Sequence, residues 1–429
     1  MSSALATRIA ADHAAAAASL PAGVVSLEQR RSAIEILGAE GLPTSRDENW
    51  KYANLRPLEK VRFVPPASAP PVNPADLPSP IEGYARYTFV DGLFSPALSS
   101  PVSRPGITVA SSVAVGSLPK SKDARFALLN DAFATDGVSI RVAAGTECAT
   151  CIELVFVAST DLQAGSSYPR AELLVEAGAR VGLIERHVSV GAGASFVSAS
   201  VKVDVARDAS VTHYRVQQSG AKTLLFDTLS ATLAQNATYR LHGVNVGGLS
   251  ARSTVNVQLA GEHAEASIAV ASLGDRQQIQ DAFVQVEHAA PRARSEQTFR
   301  GISSGRARVA FNGMVVVRKN ATGTDSQQSL RGLLAGPEAE IDVRPQLEIY
   351  TDDVRCSHGA TAGKLDDDML FYLLSRGIDA ATAQRLLKWA FLEDVVAKIE
   401  VPELRRQIER SLAGQMQEAW LTGLPGAGL

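Results

Sequence analysis

Cysteine, aromatic residues and net charge are all scarce in this chain. Only three of its 429 residues are cysteines, and so small and odd a number does not form a disulfide framework in a long chain. Aromatic residues make up 6% and the formal net charge is -3, which argues against a broad basic surface for nucleic acid. No apolar run approaches the ~18–20 residues that span a bilayer, and the alanine-rich start lacks the compact apolar segment of a secretion signal. We therefore expect a cytoplasmic globular protein with neither nucleic-acid nor membrane partners.

The N-terminal part of the chain shows helical periodicity. Ser26 is the expected cap of a helix that stops at Gly38 or Gly41. Residues 57–80 then contain eight of the 20 prolines, which predicts an extended linker rather than a regular element. We therefore expect an N-terminal helical region with its linker over residues 1–80.

The C-terminal part, residues 361–429, is also predicted to be helical. It opens with LDDDMLFYLLSRGI, whose early acids and late Arg376 complement the helix dipole, and Gly377 is the expected stop. Asp379 should cap a second helix, AATAQRLLKWAFLEDVVAKIE. Pro402 opens a third helix at an allowed first-turn position.

The region between them, residues 81–360, has the texture of β-strands. Short runs such as SFVSASVKVDV and TYRLHGVNV alternate apolar and polar residues. Turns built on an alanine, such as those at Ala179, Ala209 and Ala237, recur at intervals near 14–15 residues or twice that. A fixed repeat of strands and turns predicts a solenoid, here a β-helix, in which each rung buries its inner face on its neighbours. A β-sandwich is the alternative, but these alanine turns lack the Asn-Gly and Asp-Gly pairs of tight hairpins.

The stretch DDVRCSHGATAGKLDDD, residues 352–368, holds a thiol, an imidazole and five carboxylates. Residues two apart in an extended chain point to the same face, so Cys356 and His358 should project together at the junction of solenoid and helices. Both side chains are ligands for zinc, iron and iron–sulfur clusters. Two ligands do not close a tetrahedral site, so we expect no stable metal in the isolated chain. The alternative is a half-buried cysteine and a hydrogen-bonded histidine at a strand end.

Cys148 and Cys151 form a CxxC motif in the run TECATCIELVFV. Residues three apart in a strand point to opposite faces, and no second CxxC or HxxxH accompanies the pair. We therefore expect two ordinary half-buried cysteines. The other histidines are scattered singly and are expected to be structural or surface residues: His187, His213, His242, His263 and His288.

Recognisable enzyme motifs are missing as well. The sequence contains no HExxH and no GxxxxGK[ST] motif, so it predicts neither that type of metalloprotease nor a self-sufficient nucleotide hydrolase. We therefore expect a non-catalytic protein.

One long segment carries a family resemblance: FNGMVVVRKNATGTDSQQSLRGLLAGPEAEIDVRPQLEIYTDDVRCSHGATAGKLDDDMLFYLLSRGI, residues 311–378. It closely resembles the C-terminal core of the SufB/SufD family of the SUF iron–sulfur cluster assembly system. The spacing DDVxCSHGAT-xGxLDxDxLFYLxSRGI is similar to that of the SufD branch in particular. RDENWKYANL also resembles a short aromatic motif near the start of SufD proteins.

The resemblance implies a right-handed parallel β-helix flanked by helices, and a scaffold subunit that supports cluster assembly and iron acquisition. Such a subunit pairs with its paralogue SufB through the last strands of the two β-helices. In SufB, a sulfur-accepting cysteine lies three residues before an LLxG segment, but Leu330 stands at that position here. His358 therefore becomes the residue implied to contribute to a nascent cluster at the SufB interface, with a less defined role for Cys356. A homodimer is the alternative in the absence of SufB, and a reduced flavin is associated with complexes of the family, although no motif here places it.

The resemblance also implies that the ATPase SufC binds the C-terminal helices. In the second of these helices, Leu387, Phe391 and Val395 form an apolar stripe that we expect to be buried. A neighbouring row with Arg385, Lys388 and Trp389 is then expected to face outward and to contact SufC. The alternative for Trp389 is packing against the third helix.

Two further classes of protein compete with this interpretation. A carbohydrate-active β-helix enzyme would line a groove with aromatic residues and paired acids, which the low aromatic content disfavours. A zinc-binding structural protein would use Cys356 and His358 with further ligands, and metal analysis of the purified chain separates it from a shared, transient site.

Overall fold

The computed structural model describes residues 3–111, 113–114, 116, 118, 122–159 and 165–416 of the protein. In this part of the chain two sheets of ten and nine strands form the core, and six α-helices accompany them. The strands are β1 (Ala85–Val90), β2 (Leu93–Phe94), β3 (Ile107–Ser111), β4 (Val138–Val142), β5 (Glu147–Ala158), β6 (Arg170–Val175), β7 (Arg180–Ser189), β8 (Phe196–Val205), β9 (Ser210–Ser219), β10 (Leu224–Leu233), β11 (Thr238–Gly247), β12 (Ser250–Leu259), β13 (Glu265–Gly274), β14 (Ile279–His288), β15 (Arg294–Ser303), β16 (Arg308–Val317), β17 (Thr324–Leu334), β18 (Glu340–Ile349) and β19 (Val354–Gly363). The helices are α1 (Ser3–Ala16), α2 (Leu27–Glu40), α3 (Arg125–Phe133), α4 (Asp367–Ser375), α5 (Ala380–Val396) and α6 (Pro402–Gln415).

The strands wind into a parallel β-solenoid. From β4 onward, successive strands alternate between the two sheets, and each pairs in parallel with the strand two places further along the chain. Ser210 pairs with Thr238, for example, so one full turn advances the chain by two strands and two corners. The predicted β-helix flanked by helical ends is therefore confirmed.

The alternating sequence pattern explains this winding. In the regular strands, alternate residues point into the solenoid, where Val211, Leu229 and Val255 belong to one continuous apolar core. Ala209 and Ala237 are buried immediately before a strand begins. A small side chain fits inside such a corner, where a larger one would push adjacent rungs apart.

The N-terminal region packs on the outer face of the nine-stranded sheet. Helix α2 begins at the predicted cap, where the Ser26 side chain accepts a hydrogen bond from the Gln29 backbone, and it ends at Gly41. Trp50, from the RDENWKYANL motif, is buried and stacks on Phe126 at a ring-centroid distance of 5.2 Å. The guanidinium of Arg252, on β12, lies 4.4 Å from the centre of the Trp50 ring. This aromatic motif therefore anchors the N-terminal region to the solenoid.

Residues 57–80, expected to be an extended linker, pack on the surface of the solenoid. Leu58 and Phe63 are fully buried, and the Phe63 carbonyl accepts a 2.7 Å hydrogen bond from the Tyr168 hydroxyl. Leu77 is buried against Val155 and Val157 of β5. The prolines keep this segment extended, but the apolar residues between them bind it to the solenoid surface as a strap.

Helix α3 lies inside the range that we predicted to be strands only. All nine of its residues are buried, between α2 and the nine-stranded sheet. Its buried residues include Arg125, Asn130 and Asp131, so the helix has no solvent-facing polar side that would distinguish it from the strands around it.

The C-terminal helices begin where they were predicted to begin. Asp366 and Asp379 cap α4 and α5, and Pro402 occupies the first turn of α6. Helices α5 and α6 cover the outer face of the ten-stranded sheet, and the end of the predicted third helix, residues 417–420, lies outside the described part of the chain. None of the described helices is long and apolar enough to cross a membrane.

Candidate functional site

The last rung of the solenoid, formed by β18 and β19, leaves both sheets open at one end. Each of these ten-residue strands is the final strand of its sheet and pairs with β16 or β17 on one side only. Backbone N–H and C=O groups along such an edge are available to pair with another strand. Both edges open at the same end of the molecule.

Cys356 and His358 both lie on β19, two residues apart. They pair in register with Ser326 and Gln328 of β17, whose side chains are buried inside the solenoid. The two side chains therefore share the inward face of the strand, as predicted, about 6.6 Å apart along it. Cys356 is half-buried and His358 is exposed, because no further rung covers them.

A row of hydroxyl groups runs beneath Cys356. Ser326 Oγ lies 2.8 Å from Ser295 Oγ, and Ser295 Oγ lies 2.8 Å from Nε2 of the buried His288. Cys356 itself makes a hydrogen bond with the Ser326 backbone. Burial raises the pKa of the Cys356 thiol, and the nearby carboxylate of Asp325 raises it further by a smaller amount. The thiol therefore keeps its proton at neutral pH unless a metal displaces it.

Gln328 lies below His358 and supplies a second polar position. Its amide nitrogen donates a 2.9 Å hydrogen bond to the Gly313 carbonyl, while its side-chain oxygen is buried and accepts no hydrogen bond. This buried oxygen lies beside the exposed edge of β19, so it can accept a hydrogen bond from a partner that covers that edge. The inner face of the last rung therefore carries polar groups at both Cys356 and His358.

Metal ligation at this end of the molecule is incomplete. Asp352 and Asp353 lie in the exposed turn before β19. Within the described residues, no three or more His, Cys, Asp or Glu side chains are grouped so that they could hold a metal ion. Cys356 and His358 would therefore need ligands from elsewhere to hold a metal or cluster.

Large apolar side chains are exposed at the end of β18 and on α4, which follows β19 along the chain. Phe371 of α4 is 72% exposed, and Ile349 and Tyr350 at the end of β18 are also exposed. Met369 and Tyr372 add to this surface, and none of the residues of α4 is buried. Contiguous exposed apolar side chains of this size mark interaction surfaces in soluble proteins.

The predicted outward row on α5 is only partly correct. Trp389 is buried, whereas Arg385 and Lys388 are half-exposed. Leu387 and Phe391 of the predicted buried stripe are only half-buried. The face that covers the sheet is rotated from the predicted one and contains Ala383, Trp389, Leu392, Val395 and Val396. Trp389 packs in the cluster that includes Ile302 and Leu333 of the solenoid, so it anchors the helix.

Sequence reasoning missed a charged network inside the solenoid. Glu185 Oε1 accepts a 2.7 Å hydrogen bond from Arg215 Nε, and Arg215 also pairs with Asp227 at 2.8 Å. His187 and His213 contact the same glutamate, at 2.5 and 3.1 Å. Burial by itself would raise the pKa of Glu185, but Arg215 and the two histidines hold it well below its usual range. These residues lie on three different strands, so no local sequence pattern could have revealed the network.

The prediction that Cys148 and Cys151 point to opposite faces is wrong. Cys151 is part of the solenoid core, and Cys148 packs against that same core. The register between β5 and β7 shifts between Cys148 and Ile152, which marks a bulge. The extra residues in the bulge change the alternation of side chains, so both thiols face inward.

The fold and the site together define a class of protein: a parallel β-solenoid whose open last rung carries an incomplete cysteine–histidine site. Residues 156–391, more than half of the chain, match the family model described as SUF system FeS cluster assembly, SufBD core domain. The iron–sulfur cluster assembly protein SufD of Escherichia coli is 31% identical over 383 residues, which cover 89% of this chain and 90% of that protein. A SufBD family iron–sulfur cluster assembly protein of Synechocystis is 26% identical over 411 residues, 91% of each chain. The chain belongs to the SufBD family of the SUF system for iron–sulfur cluster assembly and is SufD-like, as its C-terminal motif predicted.

Proposed function

We propose that this protein is a non-catalytic scaffold subunit that pairs with a SufB paralogue through the open end of its solenoid. The observation that carries the proposal is the placement of Cys356 and His358 on the inward face of an edge strand that is paired on one side only. A second solenoid that pairs with β18 and β19 would enclose both side chains between the two chains. The exposed apolar residues of α4, above all Phe371, would be buried in the same contact.

In this complex, His358 binds a nascent iron–sulfur cluster as cargo, and Cys356 is the second ligand that this chain offers. His358 is exposed at the edge, where ligands from a partner can complete the site. Leu330, at the position of the sulfur-accepting cysteine of SufB, is fully buried on β17 and has no sulfur chemistry. Sulfur must therefore enter from the partner, while this chain supports iron acquisition.

The ATPase SufC binds the C-terminal helices, and Arg385 and Lys388 contribute to that surface. Trp389 supports the surface from below rather than contacting SufC. Helix α5 is tied to the solenoid by the ion pair between Arg300 and Asp394, 2.5 Å apart. Movement of a docked ATPase can therefore be transmitted through α5 to β15 and the rungs next to the open end.

The proposal is tested by co-expression of this chain with SufB and SufC. The complex is isolated without oxygen, and its iron and sulfide contents are measured for the wild type and for His358→Ala. We expect the variant to assemble normally but to carry less iron and sulfide, since an exposed imidazole contributes little to folding. His263→Ala is the matched control, because His263 is exposed at a turn between two other strands.

Two results would contradict the proposal. Normal iron and sulfide loading in the His358→Ala complex would show that this residue is not a cluster ligand. Recovery of only a homodimer, with no SufB bound, would show that the open end pairs with a second copy of this chain.

A further inference from the structure

The bulge on β5 holds the other two cysteines of the chain, far along the solenoid from the open end. Cys148 pairs with Val181, and Ile152 pairs with Leu183. Between these two pairs β5 advances by four residues, whereas β7 advances by only two. In a regular strand, the Cα atoms of residues three apart are about 10 Å apart, beyond the ~6.8 Å that a disulfide can span. The bulge shortens that separation, because the step from Cys148 to Ile152 advances along the sheet only as far as two residues of β7.

The two thiols are in contact. The Cys148 thiol is close enough to raise the pKa of the Cys151 thiol, and both side chains belong to or pack on the same apolar core. Two neighbours maintain the bulge. The Tyr84 hydroxyl donates a 3.3 Å hydrogen bond to the Ala149 carbonyl, and Gly182 lies so close to that carbonyl that any Cβ would collide with it.

The pair is asymmetric in its access to solvent. Cys148 is half-exposed, and its Sγ lies 3.5 Å from the Thr150 carbonyl at the surface. Cys151 is fully buried. Burial, followed by contact with Cys148, raises the pKa of the Cys151 thiol, and the nearby positive charge of Arg104 opposes this shift. An outside reagent can therefore reach Cys148 first and Cys151 only through Cys148.

We propose that Cys148 and Cys151 form a reversible disulfide by exchange with a small-molecule disulfide of the glutathione type. The Cys148 thiolate attacks one sulfur of the reagent, which breaks the reagent's S–S bond and releases one glutathione thiol. Cys151 then attacks Cys148 Sγ, the mixed disulfide breaks, and a second glutathione thiol leaves. The two cysteines are oxidised, the reagent is reduced, and the two protons leave on the two released thiols. This site does not depend on the proposed function of the open end.

The test uses the full-length chain with Cys356→Ser, so that the pair holds its only thiols. The reduced protein is incubated with glutathione disulfide, and its intact mass and free thiols are measured. We expect both thiols to disappear without any added glutathione mass, and to return on reduction with dithiothreitol. In the additional variant Cys151→Ser, a stable glutathione adduct should accumulate on Cys148, whereas Cys148→Ser should keep its buried thiol free.

Several outcomes would overturn the proposal. A stable glutathione adduct in the protein that retains both cysteines, or two thiols that persist, would show that the pair does not close. Absence of an adduct in the Cys151→Ser variant would show that Cys148 is not the point of attack.

Tyr84→Phe removes the hydrogen bond to the bulge and should slow closure of the disulfide, so that the mixed disulfide with glutathione becomes detectable. Circular dichroism should confirm an unchanged fold. Closure at the wild-type rate in that variant would refute the role given to the bulge.

Discussion

His288 should make the stability of this protein depend on pH in a way that one substitution removes. The side chain ends β14, is fully buried, and lies 2.8 Å from Ser295 Oγ below the open end. Burial lowers the pKa of His288 to about 4 from its usual 6.5, and smaller opposing contributions come from the Ala293 backbone and Asp325. The folded protein therefore favours the neutral imidazole.

The sign and size of the effect follow from that difference in pKa. Because the unfolded chain binds the proton more tightly, the stability is fully present above the unfolded pKa of 6.5 and is lost as the pH falls toward about 4. Between about pH 7.5 and about pH 5, His288 alone should lower the free energy of unfolding by about 2 kcal/mol. His288→Gln keeps a hydrogen-bonding partner for Ser295 but cannot take up this proton.

The assay compares urea unfolding curves of the wild type and His288→Gln at both pH values. The wild type should lose about 2 kcal/mol more than the variant on acidification. His242, whose pKa burial also lowers to about 4, titrates in both proteins and cancels in the comparison. His263→Gln, altered at an exposed turn, should behave like the wild type. Equal losses in the wild type and His288→Gln would refute the argument.

Three other substitutions separate structural from binding residues. Trp50→Ala should lower the free energy of unfolding by roughly 3–5 kcal/mol, since it empties a buried aromatic site, and Trp50→Phe should cost much less; similar urea midpoints for the two variants would contradict that anchoring role. Phe371→Asp should leave the circular dichroism spectrum unchanged but weaken capture of SufB in a pull-down, because this ring is 72% exposed; undiminished capture would place the pairing surface elsewhere. Lys388→Glu should reduce SufC binding while Lys222→Glu, at an exposed turn, should not; equal SufC affinity in both would remove α5 from the docking surface.

The repeating part of this protein is predictable from its sequence because its signals are local. Each strand alternates apolar and polar residues, and each buried alanine marks a corner, so the solenoid follows from short windows of the chain. The caps at Ser26, Asp366 and Asp379 are equally local, since each side chain hydrogen-bonds to a backbone group three residues away. Cys356 and His358 share a face for the same reason.

Tertiary structure decided those features of the protein that depend on contacts between residues distant in sequence. Helix α5 has apolar residues around more than one side, and only its docking on the solenoid selected Trp389 rather than Leu387 for burial. The strap at residues 57–80 looks like a linker until the surface that it covers is present. The bulge that turns Cys148 and Cys151 to one face exists because β5 must stay in register with β7 on both sides of it. Sequence thus determined the repeating strands, their corners and the capped helices, whereas packing between distant elements determined helix α3, which side chains are buried and which are brought together.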